Sequence, residues 1–176
     1  MGKRILILDD PHRDLIHVKT AFEVLAGEKS HIHIVRTRDE LFSEMKKKDW
    51  ELLVIDQVLE GNRQGGLQVL GEIRRSDKQL PVAMVVAEAD SQYGATLIHA
   101  GATDYLIDSE NVPLQTQLPK LKRLLEIIEM NRRLNVKCEA LETEERARYK
   151  MVGNSPQIQS IVQKIQKVAV IPRPIL

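Results

Sequence analysis

Three short runs in this chain are apolar at every position: Ile5-Leu6-Ile7-Leu8, Leu52-Leu53-Val54-Ile55 and Val82 to Val86. A strand with one wet face alternates polar and apolar residues. A run apolar on both faces has to be covered on both sides, and that narrows the choice of fold sharply. Helical patterns separate the runs. Residues 12–26 carry Leu15, Val18, Ala21, Phe22 and Leu25 at three- and four-residue spacing, with Gly27 placed to end the helix. His31 to Val35 alternates like an edge strand, and Thr37-Arg38-Asp39-Glu40 matches a capping box opening a helix with Leu41, Phe42 and Met45 on its apolar side. Leu67, Val69, Leu70 and Ile73 outline another helix, with Arg74-Arg75 suited to its C-terminal end. A further helix is expected from about Asp90 to Ala100, stopped by Gly101, and a fifth strand over Thr103 to Ile107. The order βαβαβαβαβ predicts a parallel sheet clad on both faces.

Two of the apolar runs end in acids. Asp9 and Asp10 follow the first, and Asp56 follows the second. If these strands are neighbours, the three carboxylates meet at the carboxyl edge of the sheet, where open α/β sheets bind ligands. Like charges gathered there are costly unless a cation neutralises them. Oxygen-only ligands suit a hard ion such as Mg²⁺, and Mg²⁺ beside an aspartate is an arrangement for receiving a phosphoryl group. Aspartates at strand ends also have a purely structural use, capping the next helix or accepting loop amides.

Composition bounds the rest. The chain has 176 residues, 43% hydrophobic and only 3% aromatic, so its core has to be aliphatic. One cysteine, Cys138, excludes an internal disulfide and points to a reducing, cytoplasmic setting. No apolar stretch reaches the length of a membrane span, and Met1-Gly2-Lys3-Arg4 runs straight into a strand without a signal-peptide layout. The net charge of +1 hides an asymmetry. Residues 1–118 hold 14 basic and 19 acidic side chains, residues 119–150 hold 9 and 6, and residues 151–176 hold 3 and 0. Residue 118 is therefore a candidate domain boundary. The basic tail reads as an ordinary exposed helix rather than a nucleic-acid contact.

These pieces together resemble the receiver domain of bacterial two-component response regulators. The matching residues are Asp9-Asp10, Asp56, Gly65-Gly66-Leu67, Pro81-Val82 and Gly101-Ala102-Thr103-Asp104-Tyr105-Leu106, spanning residues 3 to about 118. The resemblance implies a flavodoxin-like, doubly wound sheet of five strands in the order 2-1-3-4-5. It implies Asp56 as phosphoacceptor, Asp10 as a direct Mg²⁺ ligand, Asp9 as a ligand through water, and the Val58 carbonyl completing the set. It also implies a sensor histidine kinase as phosphoryl donor and Tyr105 as the switch aromatic. Two positions depart from the family pattern. Val86 stands where a Thr or Ser hydroxyl would bond a phosphoryl oxygen, and Asp108-Ser109 stand where a Lys usually precedes Pro. Losing both contacts to a dianion removes on the order of 2–4 kcal/mol.

After Pro119 there is no glycine or proline through residue 150. Pro119 suits the first turn of a new helix or a kink in one begun near Leu114. Leu124, Ile127, Asn131, Leu134, Cys138 and Leu141 follow a heptad spacing, predicting a dimer seam within a linker helix over 119–150. Leu121, Leu125 and Ile128 form a second stripe suited to packing on the receiver. Residues 151–176 open with Met151-Val152-Gly153-Asn154-Ser155-Pro156 and carry Ile158, Ile161, Val162, Ile165 and Val168 at helical spacing. This segment resembles the start of the AAA+ ATPase domain of sigma-54-dependent enhancer-binding activators. No G-x-x-x-x-G-K-[ST] loop and no DNA-reading helix pair are present, so ATP hydrolysis and DNA binding would need domains outside these residues.

Three functions compete on this reading. The first is a signal-receiving and dimerising module of a sigma-54-type activator, phosphorylated on Asp56 with Mg²⁺. The second is a pseudo-receiver, a dimerisation and interaction platform that no kinase phosphorylates. The third, a small metal-dependent phosphohydrolase, lacks a second nucleophile or basic clamp.

Overall fold

A computed structural model describes residues 2–11, 14–87, 91–109 and 111–148. The Gly153-Asn154-Ser155-Pro156 segment and everything else from residue 149 on lie outside them. Five strands, β1 (Arg4–Leu8), β2 (His31–Val35), β3 (Leu52–Asp56), β4 (Val82–Val86) and β5 (Asp104–Ile107), form one sheet in the order β2-β1-β3-β4-β5. Every pairing is parallel. The three all-apolar runs became the three central strands, and the alternating run His31–Val35 became an edge, as their patterns require.

Helices α1 (Ile16–Ala26), α2 (Arg38–Lys47), α3 (Gly65–Ser76), α4 (Ser91–His99) and α5 (Leu118–Arg148) cover the sheet. Its two faces carry separate cores. Leu6, Leu8, Leu53, Ile55, Met84 and Val86 meet Leu41, Leu70, Ile73 and Leu97 on one side. Ile5, Ile7, Leu52, Val54, Ala83 and Val85 meet Val18, Phe22, Leu121, Leu124 and Ile128 on the other.

Several expectations shift in detail. α1 begins at Ile16 rather than residue 12, because carboxylates take its first amides: Leu15 N–H donates to Asp9 Oδ2 at 3.0 Å and Ile16 N–H to Asp14 Oδ1 at 3.0 Å. Thr37 caps α2 through Glu40 N–H at 3.2 Å, but the Glu40 carboxylate reaches back to Arg36 N–H at 2.8 Å rather than to Thr37. A short 3₁₀ turn at Leu114–Gln117 precedes α5, leaving Pro119 in the first helical turn, where its missing N–H costs nothing.

The first compact unit runs past residue 118 to Arg132. Leu121, Leu124, Leu125 and Ile128 explain this, since all are buried in the first unit's core. Leu124, expected at the dimer seam, turns inward instead. Its side chain is 0% exposed and belongs to the domain interior.

Arg132 closes the first unit at the amino edge of the sheet. Its guanidinium grips Glu51 with two contacts, Nε to Oε1 at 2.5 Å and Nη2 to Oε2 at 2.7 Å, and also donates to the Gly2 carbonyl at 2.6 Å. Glu51 also accepts from Arg4 N–H at 2.9 Å. Burial alone would raise the Glu51 carboxyl, but Arg132 and the Arg4 amide outweigh it and hold the group below the ordinary glutamate value. A depressed carboxylate contributes stability above its unfolded pKa and loses it as pH falls through the lower folded value. Glu51→Gln should therefore cost about 1–3 kcal/mol at neutral pH. Urea melts should show that cost shrinking below the ordinary glutamate pKa, and a constant difference down to pH 3 would refute the linkage.

Candidate functional site

The parallel register fixes where the acids emerge. Leu8 pairs with Ile55, so Asp9 and Asp56 leave neighbouring strands at the same edge. Asp56 pairs with Val85, and Val86 with Ile107, which brings the fourth and fifth strand ends to that edge as well. Asp9, Asp10 and Asp56 are all buried, at 0%, 2% and 0% exposure.

Protein donors hold each acid. Asp9 Oδ2 accepts from Leu15 N–H and from Arg36 Nη1, the latter at 2.6 Å. Asp10 Oδ2 accepts from Glu60 N–H at 2.5 Å. Asp56 Oδ1 lies 3.4 Å from Val58 N–H, a long contact. The structural use of strand-end aspartates is therefore realised at Asp9 and Asp10. It does not exhaust them, because Asp9 Oδ1 is buried with no hydrogen-bond partner. Burial pushes the Asp9 carboxyl above its ordinary value, against the Leu15 amide and Arg36, which pull it down.

As a donor set, three buried carboxylates fit a hard divalent ion, and the unsatisfied Asp9 oxygen is a place for one more positive partner. As arranged, no group of three or more His, Cys, Asp or Glu side chains among the described residues is disposed to hold a metal. The guanidinium of Arg36 lies on Asp9 and the Glu60 amide on Asp10.

The two atypical positions are now placed. Val86 is fully buried in the core. Asp108 N–H donates to the Val86 carbonyl at 2.7 Å, so the two residues adjoin at the edge. The Asp108 carboxylate lies 2.9 Å from His17 Nε2 on α1. Tyr105 is half-buried, with its ring against Gly94 of α4, where a Cβ would come within 2.8 Å of the hydroxyl. Lys120 of α5 stands 3.8 Å from the ring centroid and donates to the Tyr105 carbonyl at 2.8 Å. The Tyr105 ring is thus held between two helices.

Beside the acids lies a cavity of about 500 Å³, bounded by Leu8, Arg36, Arg38, Glu60, Gln68 and Glu72 among others. Sequence reasoning missed Arg36, His17 and Lys120. Arg36 had a signal: it is the first residue after β2, which neighbours β1 in the 2-1-3-4-5 order.

The remaining seam residues divide along α5. Ile127 and Asn131 are partly buried, and Leu134 and Leu141 are 51% and 61% exposed. Cys138 is exposed. No helix among the described residues is long and apolar enough to cross a membrane.

The family model for the response regulator receiver domain matches residues 5–112. The chain belongs to the response regulator receiver family. It is 25% identical over 168 residues to the nitrogen assimilation regulatory protein NtrX of Azorhizobium caulinodans, covering 96% of this chain and 35% of that protein. It is also 25% identical over 166 residues to the transcriptional regulatory protein ZraR of Salmonella typhimurium, covering 94% and 34%. The chain thus spans about a third of the length of these curated relatives. Among solved structures, NtrX from Brucella abortus matches with a TM-score of 0.59 at 23% identity, over 96% of this chain and 35% of that one. A Francisella receiver domain, that of response regulator 1452, matches at 0.57 and 18% identity, over 71% and 98%. At these identities the structures speak for the fold. A receiver is a regulatory module rather than a catalytic domain.

Proposed function

We propose that this receiver accepts a phosphoryl group on Asp56 with Mg²⁺ and passes the signal through α5 to the remainder of a sigma-54-type transcription activator. The observation that carries the reading is the register of β1 and β3, which delivers three buried acids to one edge of the sheet. Asp10, Asp56 and the Val58 carbonyl would hold the ion directly, and Asp9 would hold it through water. The ion supplies neutralisation of the charge that builds on the transferring group. Asp56 supplies the carboxylate oxygen that attacks phosphorus. The new bond is an aspartyl–phosphoryl linkage, and the bond to the donor imidazole of a sensor histidine kinase breaks. Names such as nitrogen assimilation regulator and transcriptional regulator for the relatives support placing the domain upstream of gene control. An AAA+ domain following residue 176, with DNA contact made by further domains, fits the resemblance of residues 151–176. Exposed Leu134, Cys138 and Leu141 suit a homodimer joined through α5. A cytoplasmic setting fits all of these partners.

A second reading has its own support. Val86 offers no hydroxyl to a phosphoryl group, Asp108 is engaged by His17, and Tyr105 is held in place by Gly94 and Lys120. These features favour a pseudo-receiver that works as a dimerisation and interaction platform.

Beryllofluoride, a phosphoryl mimic, separates the two readings. Added with Mg²⁺ to the wild type, it should protect amides around Asp56 from exchange and shift the association state, and Asp56→Asn should abolish both effects. An unchanged exchange pattern in the wild type at millimolar Mg²⁺ would leave the pseudo-receiver standing.

A further inference from the structure

Arg36 touches the acids from a fixed root. Its main-chain N–H donates to Glu40 Oε2 at 2.8 Å, and Glu40 N–H in turn donates to the Thr37 hydroxyl at 3.2 Å. The guanidinium lies 2.6 Å from Asp9 Oδ2 and 3.2 Å from the Asp10 carbonyl oxygen. Asp9 is 0% exposed, whereas the Arg36 side chain is 42% exposed. The carboxylate is thus fixed in the interior and its partner is a long arm with room to move. That room is visible: Arg36 also lines the adjoining cavity of about 500 Å³, together with the acids Glu60 and Glu72.

We propose that Arg36 is a built-in cation of the acid pair, that it competes with the divalent ion for Asp9 and Asp10, and that ion binding turns its side chain into this cavity. The inference rests on the Mg²⁺ reading given above. Its physical basis is electrostatic. Two adjacent buried carboxylates repel each other, and a guanidinium at hydrogen-bond distance relieves that repulsion. A divalent ion placed at the same acids meets a like charge a few ångströms away and must displace it. Of those two acids on the cavity wall, Glu72 is already paired with Arg38 at 2.6 Å, which leaves Glu60 as the one a displaced guanidinium would meet. Because coupling between two ligands of one site is reciprocal, the factor by which docked Arg36 weakens ion binding is the factor by which the bound ion weakens the hold of Arg36 on Asp9.

The test is a titration of Mn²⁺, followed through the resonance of the free ion, into the full chain as wild type, Arg36→Gln and Arg36→Lys. Arg36→Gln should bind Mn²⁺ about tenfold more tightly than wild type, equivalent to removing one opposed charge. Arg36→Lys, which keeps the charge, should stay near wild type. Without divalent ions Arg36→Gln should melt below wild type, and millimolar Mg²⁺ should raise its Tm by more than it raises the wild-type Tm. In the unmutated chain the Arg36 Nε–H resonance should move when Mg²⁺ is added, a readout that does not depend on a variant folding. Equal Mn²⁺ affinities for wild type and Arg36→Gln overturn the competition and leave the metal site intact. No binding to any of the three overturns the competition and the metal site together.

Discussion

Gly66→Ala is expected to destabilise the receiver by roughly 3 kcal/mol, the upper part of the range for overpacking. A Cβ on Gly66 would lie 2.1 Å from the Asp56 carbonyl oxygen and 3.0 Å from Gln57 Cα. Both are backbone atoms, one of the last residue of β3 and one of the residue after it, so no side chain can turn aside to relieve the clash. Gly66 N–H also donates to the Gln57 carbonyl at 3.0 Å, which ties the start of α3 to the same loop. The damage should therefore reach the phosphoacceptor, because the only relief is to move the strand end that carries Asp56. Gly71 supplies the control within the same helix. A Cβ there meets nothing within 4 Å, and Gly71→Ala should stabilise the domain by about 0.5–1 kcal/mol through helix propensity. Urea denaturation of both variants checks the pair, and a Gly66→Ala midpoint equal to wild type would show that the approach of α3 to β3 is looser than described.

That close approach illustrates what the sequence does and does not disclose. Gly65-Gly66 were legible through the receiver resemblance, and the three apolar runs were legible as central strands from local pattern alone. Strand burial is dictated by composition along a few consecutive residues. Asp9, Asp10 and Asp56 could be brought to one edge on paper because the βαβ repeat calls for parallel strands and the receiver resemblance implies the order 2-1-3-4-5. The guanidinium on Asp9 was not legible. Arg36 and Asp9 are 27 residues apart, and their contact depends on which strand lies beside β1 and on the rotamer of a long side chain. His17 meeting Asp108 has the same character: each residue reads as ordinary alone, and only the packing of α1 against the end of β5 joins them. The heptad reading of α5 failed at Leu124 for a related reason. A helix apolar on two sides shows the same spacing whether a given leucine faces a partner or its own domain.

Leu124 therefore carries the second prediction. Leu124→Ala should cost roughly 2–5 kcal/mol, the range for a fully buried leucine that leaves a cavity. Its neighbours in the core are Leu121, Leu125 and Ile128 from its own helix together with β-strand residues such as Val85 and Leu106, all close to fully buried. Leu141→Ala, on a residue 61% exposed, should change the unfolding free energy measured at low concentration by no more than about 0.5 kcal/mol. If α5 joins two copies, Leu141→Ala should instead weaken self-association in sedimentation experiments, a property that Leu124→Ala affects only by unfolding the domain. The two substitutions separate roles that one heptad pattern had merged. Through Leu124, α5 belongs to the receiver. Through Leu134, Cys138 and Leu141, it is available to something else. A Leu124→Ala chain that keeps its full stability and loses only its association would return that leucine to the seam, and would mean that α5 leaves the sheet face it covers here.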